Sequence, residues 1–121
     1  MRNHSELTLR NQNEFSRVYN HGKSRGGKYA VVLYRKNGLK YTRTAFVASK
    51  KVGNSVNRNR SRRLMRAAFR AFQPDIASGY DIIFVARAAI TDCKEKDVEK
   101  QLRKSLTAEG LLTGINNNNE K

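Results

Sequence analysis

Between Glu14 and Asp75 the chain carries no carboxylate, yet those 60 residues hold 16 lysines and arginines. Away from its two ends, no cation in that stretch has an acidic near neighbour in sequence. A fold built from it must borrow carboxylates from outside, or leave its charge facing solvent or a polyanion. The chain has 121 residues and a formal net charge of +15. Residues 91–121 hold six acidic and six basic side chains, so the whole excess lies in residues 1–90. A solubilising charge run mixes signs, as residues 94–104 do with Lys94, Glu95, Lys96, Asp97, Glu99, Lys100, Arg103 and Lys104. An unmixed stretch this long is the footprint of a nucleic-acid surface.

Other classes are excluded by composition. One cysteine, Cys93, cannot make an intramolecular disulfide, and with His4 and His21 it has no zinc-ligand spacing. A membrane-spanning helix needs about 20 consecutive apolar residues, whereas the longest runs are residues 29–34 and 82–86. The first ten residues have no apolar stretch of signal-peptide type, so a cytoplasmic protein is expected. A membrane-surface role would need free apolar side chains opposite the basic ones, and here the core takes them.

The periodicity gives one α+β domain over residues 10–112. A flexible arm is expected at residues 1–9 and an Asn-rich disordered tail at residues 113–121. Asn11 and Glu14 have capping-box spacing, and Phe15, Val18 and Tyr19 recur at helical intervals before Gly22. Residues 23–25 and 29–35 read as strands. Asn37–Gly38 signals a hairpin turn into a return strand at residues 41–49. A helix is expected over residues 55–72, with Leu64, Met65, Ala68, Phe69, Ala71 and Phe72 on one face and Arg62, Arg63, Arg66 and Arg70 on the other. Ser61 falls inside the apolar stripe. A buried strand at residues 80–87 and a helix at residues 94–108, with Val98, Leu102 and Leu106 spaced by four, complete the set.

The densest chemistry lies at the head of the arginine helix. Gly53 lets the backbone approach a phosphate closely. The helix start adds free N–H groups and partial positive charge. Arginine forks bind phosphate oxygens bidentately, and Lys50 and Lys51 add point charges. Asn59 has hydrogen-bonding groups for a base edge, a 2′-hydroxyl or its own helix end. Phe15 and Tyr19, four residues apart on one helix face, suit either the core or an RNA groove.

Residues 49–66 (Ser-Lys-Lys-Val-Gly-Asn-Ser-Val-Asn-Arg-Asn-Arg-Ser-Arg-Arg-Leu-Met-Arg) closely resemble the signature of the bacterial ribonuclease P protein subunit. Residues 9–22 resemble that family's first helix, and residues 80–87 its last strand, so the likeness covers about residues 7–106. Ser61 stands where the family usually carries an aliphatic. The resemblance implies an αβββαβα two-layer sandwich, with helices packed on a four-stranded mixed sheet and a left-handed βαβ crossover. It implies a protein that pairs with a catalytic RNA to remove the 5′ leader of precursor tRNA. Lys50, Lys51, Asn54, Arg58, Asn59, Arg60, Arg62, Arg63 and Arg66 would then meet RNA. Phe15, Tyr19 and Tyr34 would line a cleft for the single-stranded leader, since aromatic faces take unstacked bases without demanding a sequence.

Catalysis by the protein itself is not expected. Metal-assisted phosphodiester cleavage needs carboxylates to hold the ions, and the charged centre has none. His4, His21 and Cys93 have no partners at catalytic spacing. The implied Mg²⁺ would be held mainly by the RNA and substrate. Two other readings share the charge. One is a different structural RNA-binding protein, such as a ribosomal one. The other is a DNA-binding regulator, which would want a helix-turn-helix partner that is not visible here.

Overall fold

The computed structural model describes residues 8, 9 and 11–112. His4 and the expected C-terminal tail lie outside them, as does most of the expected arm. Thr8 and Leu9, assigned to that arm from sequence, belong to the fold. Leu9 is buried, and its N–H donates to the Thr44 carbonyl at 3.0 Å.

The elements in order are α1 (Gln12–His21), β1 (Lys23–Arg25), β2 (Ala30–Lys36), β3 (Arg43–Val47), α2 (Ser55–Arg70), β4 (Tyr80–Ala86) and α3 (Glu95–Ala108). Three helices pack on a four-stranded mixed sheet, as expected. The capping box at α1 is present: Asn11 Oδ1 accepts from the Glu14 N–H at 2.9 Å, and Glu14 Oε1 accepts from the Asn11 N–H at 3.2 Å.

The Asn37–Gly38 hairpin does not form. The sheet order is β1-β2-β4-β3, so β4 lies between the two strands expected to pair. It runs antiparallel to β2 and parallel to β3, with α2 as the crossover. The turn itself exists, with Gly38 at φ 74° and the Asn37 side chain accepting from the Leu39 N–H at 2.7 Å. The reason for the insertion is burial. Ile82, Ile83 and Phe84 are each fully inaccessible. A strand apolar on both faces is stable only in the middle of a covered sheet.

The helices divide between the two faces. Met65 and Phe69 of α2, Phe72 just beyond it, and Val98, Leu102 and Leu106 of α3 pack against Val32, Ile82 and Phe84. On the other face, Val18 of α1 packs with Leu9, Ala45 and Ile83. Ser61 is wholly buried in the α2 stripe. It is accommodated because its hydroxyl donates to the Asn57 carbonyl at 2.8 Å, within its own helix.

One charged cluster locks α1 to the sheet. Arg43 at the start of β3 donates to both carboxylate oxygens of Asp81, at 2.8 and 2.7 Å. Its remaining terminal nitrogen donates to Glu14 at 2.7 Å, and Asn37 donates to Asp81 at 3.0 Å. The bond to Asp81, more than any other contact, raises the Arg43 pKa. The side chains are 14%, 5% and 15% exposed for Arg43, Asp81 and Glu14, so removing one partner strands a desolvated charge. Arg43→Ala is expected to cost about 3 kcal/mol or more, read as a lowered urea midpoint. A loss under about 1 kcal/mol, the range of an exposed pair, would contradict the locking role.

Candidate nucleic-acid interface

The head of α2 is built in steps. Ser49 caps a short 3₁₀ turn at Lys50–Val52, and buried Val52 anchors that turn. Gly53 follows at φ 130°, where a Cβ would lie 2.7 Å from the Asn57 side chain, so glycine is required. Asn54 is the helix N-cap, its side chain accepting from the Asn57 N–H at 3.0 Å. Arg58 folds back, donating to the Gly53 carbonyl at 3.0 Å and Ser55 Oγ at 3.2 Å. Arg62 donates to Asn59, Arg60 to the Thr91 carbonyl at 3.4 Å, and Arg66 lies over the Phe46 ring.

The nine residues expected to meet RNA are thus brought together along α2 and the turn before it, all exposed or half-buried. Asn54 and Arg58 shape the helix start as well as facing outward. Among the described residues the ion pairs are Arg25–Glu109, Arg43–Glu14, Arg43–Asp81 and Arg103–Glu99. None uses any of the six arginines of α2. Their charge is left for an external anion, and the guanidinium fork suits a phosphate.

The three aromatic residues expected in one cleft do not share a face. Phe15 packs half-buried against the Leu9, Val18, Ala45 and Ile83 cluster on the α1 side, and Tyr19 is 51% exposed. Tyr34 belongs to the opposite cluster. Its hydroxyl donates to Glu109 at the end of α3, and its ring meets Tyr80 edge-on at 6.2 Å. Arg25 also donates to Glu109, at 2.8 Å. Strand alternation decides this: Tyr34 follows Ala30 and Val32 to the α2–α3 face.

A different groove lies on the α1 side. Glu14 is tied to the start of β3, and Gly22 abuts the Tyr34 backbone near the end of β2. Helix α1 therefore crosses the end of the sheet at which β3 and β4 begin. At the other end, Val31, Val85 and Val47 lie in register across three strands and stay half-exposed. Beside them Lys28, Ser49, Lys51 and Arg87 line a concavity of about 730 Å³. Lys28 and Arg87 were missed from sequence. They are brought near each other because the Arg87 N–H donates to the Tyr29 carbonyl at 2.9 Å, extending the β2–β4 ladder. The one signal available was that Lys28 lies inside the acid-free stretch.

A single α+β domain that keeps its carboxylates off an arginine helix has the chemistry of a nucleic-acid-binding protein. The sequence profile described as Ribonuclease P matches residues 4–109. The chain belongs to the ribonuclease P protein family, whose members are components of a tRNA-processing ribonucleoprotein enzyme with an RNA partner. It is 42% identical over 96 residues to the ribonuclease P protein component of Clostridioides difficile, covering 78% of this chain and 84% of that one. Identity to the component from Thermoanaerobacter sp. is 38% over 108 residues, covering 89% and 93%. The Staphylococcus aureus RNase P protein superposes with a TM-score of 0.79 at 27% identity, covering 88% and 98% of the two chains. The Thermotoga maritima protein gives 0.75 at 31% identity, covering 84% and 96%. The ribosomal alternative is not favoured by these relatives. No helix among the described residues is long and apolar enough to cross a membrane.

Burial, and then the bond to Glu109, push the Tyr34 phenol up to about 12. The same bond, with Arg25, lowers the Glu109 pKa. Unfolded Tyr34 loses its proton near its ordinary value of 10.0, while the folded phenol keeps it to about 12. The stability this contact gives therefore falls as pH rises between those values. The Glu109 share is present above its unfolded pKa and is lost as pH falls through its lower folded value. In an absorbance titration at high pH, one late-titrating tyrosine is expected to shift toward 10 in Glu109→Gln. An unchanged titration would contradict the contact.

Proposed function

We propose that this chain binds the catalytic RNA of ribonuclease P through α2 and the turn preceding it. The groove on the α1 side holds the single-stranded 5′ leader of precursor tRNA. The observation that carries this reading is the set of α2 arginines without carboxylate partners. It is supported by the apolar strip Val31–Val85–Val47, which the cations Lys28, Lys51 and Arg87 flank, with Phe15 on the same face of the sheet. Phe15 and exposed Tyr19 offer ring surface to unstacked bases, and the cations track the backbone. Tyr34 serves the α2–α3 packing instead.

The bond cleavage itself is assigned to the RNA, with Mg²⁺ held by the RNA and the substrate. Among the described residues no three His, Cys, Asp or Glu side chains gather into a ligand group. Glu14 and Asp81 are occupied by Arg43, and Glu109 by Tyr34 and Arg25. The protein's part is to bind and align, and its setting is the cytoplasm, where precursor tRNA is processed.

Mixing the full chain with a bacterial ribonuclease P RNA and precursor tRNA at low Mg²⁺ is expected to restore leader cleavage. No effect, or cleavage by RNA-free protein, would overturn the reading. Substituting Arg60→Gln and Arg63→Gln together should flatten the salt dependence of RNA binding by about one to two units of slope. An unchanged slope would refute phosphate contact there. Phe15→Ala should weaken binding of leader-bearing substrate by about fivefold or more, and mature tRNA far less, with thermal melts confirming the fold. Equal losses on both ligands would make Phe15 core alone.

A further inference from the structure

We propose that a second RNA contact lies at the β3 edge of the sheet, where Phe46 and Arg66 form a slot for one unpaired nucleotide. This rests on the chain being an RNA-binding protein, but it uses neither the tip of α2 nor the groove beside α1. Strand β3 is the last strand of the sheet, bridged on its outer side at Thr44 by Thr8. Phe46 and Phe84 are register partners on adjacent strands, with ring centroids 5.2 Å apart and planes 9° from parallel. The two rings therefore stack along the direction in which the strands neighbour one another. Phe84 lies on the inner side and is fully buried, so the other face of Phe46 looks out of the sheet.

The Arg66 guanidinium lies over that ring, 5.3 Å from its centroid. Around it Thr8, Thr44, Phe69, Arg70 and Gln73 line a cavity of about 180 Å³. That is below the roughly 300 Å³ at which pockets for drug-sized ligands begin, so it suits one planar ring. A guanidinium backed by an aromatic face is a platform on which a base stacks. Neither Arg66 nor Arg70 has a carboxylate partner among the described ion pairs, so both are available to the attached phosphate. Gln73 and Thr44 add neutral hydrogen-bonding groups for a base edge or ribose. Aromatic face, unpaired cations and polar rim together describe a ribonucleotide rather than a free anion, for which the ring surface would be irrelevant.

The test uses the full chain, isotopically labelled, titrated with a single-stranded RNA hexamer. Amide resonances of Thr44, Phe46 and Gln73 are expected to shift. The Arg70→Gln variant, on the surface at the end of α2, should weaken the affinity read at those amides by about tenfold with its melting temperature unchanged. Phe46→Leu, which keeps core volume without the ring face, should abolish the response, and Gln73→Ala serves as the variant that leaves the core untouched. Hydrogen exchange then separates the sources. Protection of these amides by the catalytic RNA alone points to an unpaired base of that RNA, and protection only after precursor tRNA is added points to the substrate. Catalytic RNA and precursor tRNA both bound, with these amides unprotected and the hexamer without effect on them, would overturn the slot alone. Failure to bind the catalytic RNA would overturn both the slot and the reading beneath it.

Discussion

Arg43 is where this fold resolves its shortage of negative charge. It lies deep in the acid-free stretch, and it is held by two carboxylates from outside it, Glu14 and Asp81. Each comes from a different element, so one guanidinium joins α1, β3 and β4. The bidentate geometry toward Asp81 fixes the parallel register of β3 and β4 at their first pair, Arg43 opposite Asp81. That register places Phe46 beside Phe84 and Val47 beside Val85. The crossover from the end of β3 to the start of β4 then carries α2 over the face opposite α1.

The same allocation of carboxylates leaves the arginine ridge uncompensated. Glu109 is used by Tyr34 and Arg25, and Glu99 by Arg103. Among the described residues helix α2 receives none. Its arginines repel one another across an exposed ridge, while the buried stripe of Met65, Ala68, Phe69 and Phe72 supplies the apolar burial that holds the helix in place. The arginine ridge is thus stabilised from beneath, by packing, and left uncompensated above. A polyanion is what completes it.

Signals that act over a few residues were legible in the sequence. The Asn11–Glu14 capping box, the Gly53 turn and the amphipathic α2 each depend on neighbours within one or two turns, and each is present. The conflict at Ser61 was also visible, though not its remedy, a hydrogen bond to the Asn57 carbonyl of its own helix. Long-range order was not legible. Asn37–Gly38 encodes a turn but not which strand lies beside β2, because insertion of β4 depends on burial of both its faces. Tyr34 was assigned to the wrong face for the same reason. Alternation gives two sides of a strand, and only the packing of α3 says which helix covers each. The groove residues Lys28 and Arg87 are 59 positions apart, and only the β2–β4 ladder brings them together.

The central claim is that one side of the molecule was cleared of carboxylates to meet RNA. Arginine- and lysine-specific chemical footprinting, on the free chain and on its complex with ribonuclease P RNA, tests it directly. Protection is expected at Lys50, Lys51, Arg60, Arg63 and Arg66, with Lys96 and Lys100 on the mixed-sign α3 as reactive as before. Protection spread equally over α3 and α2, or none on α2, would contradict the account.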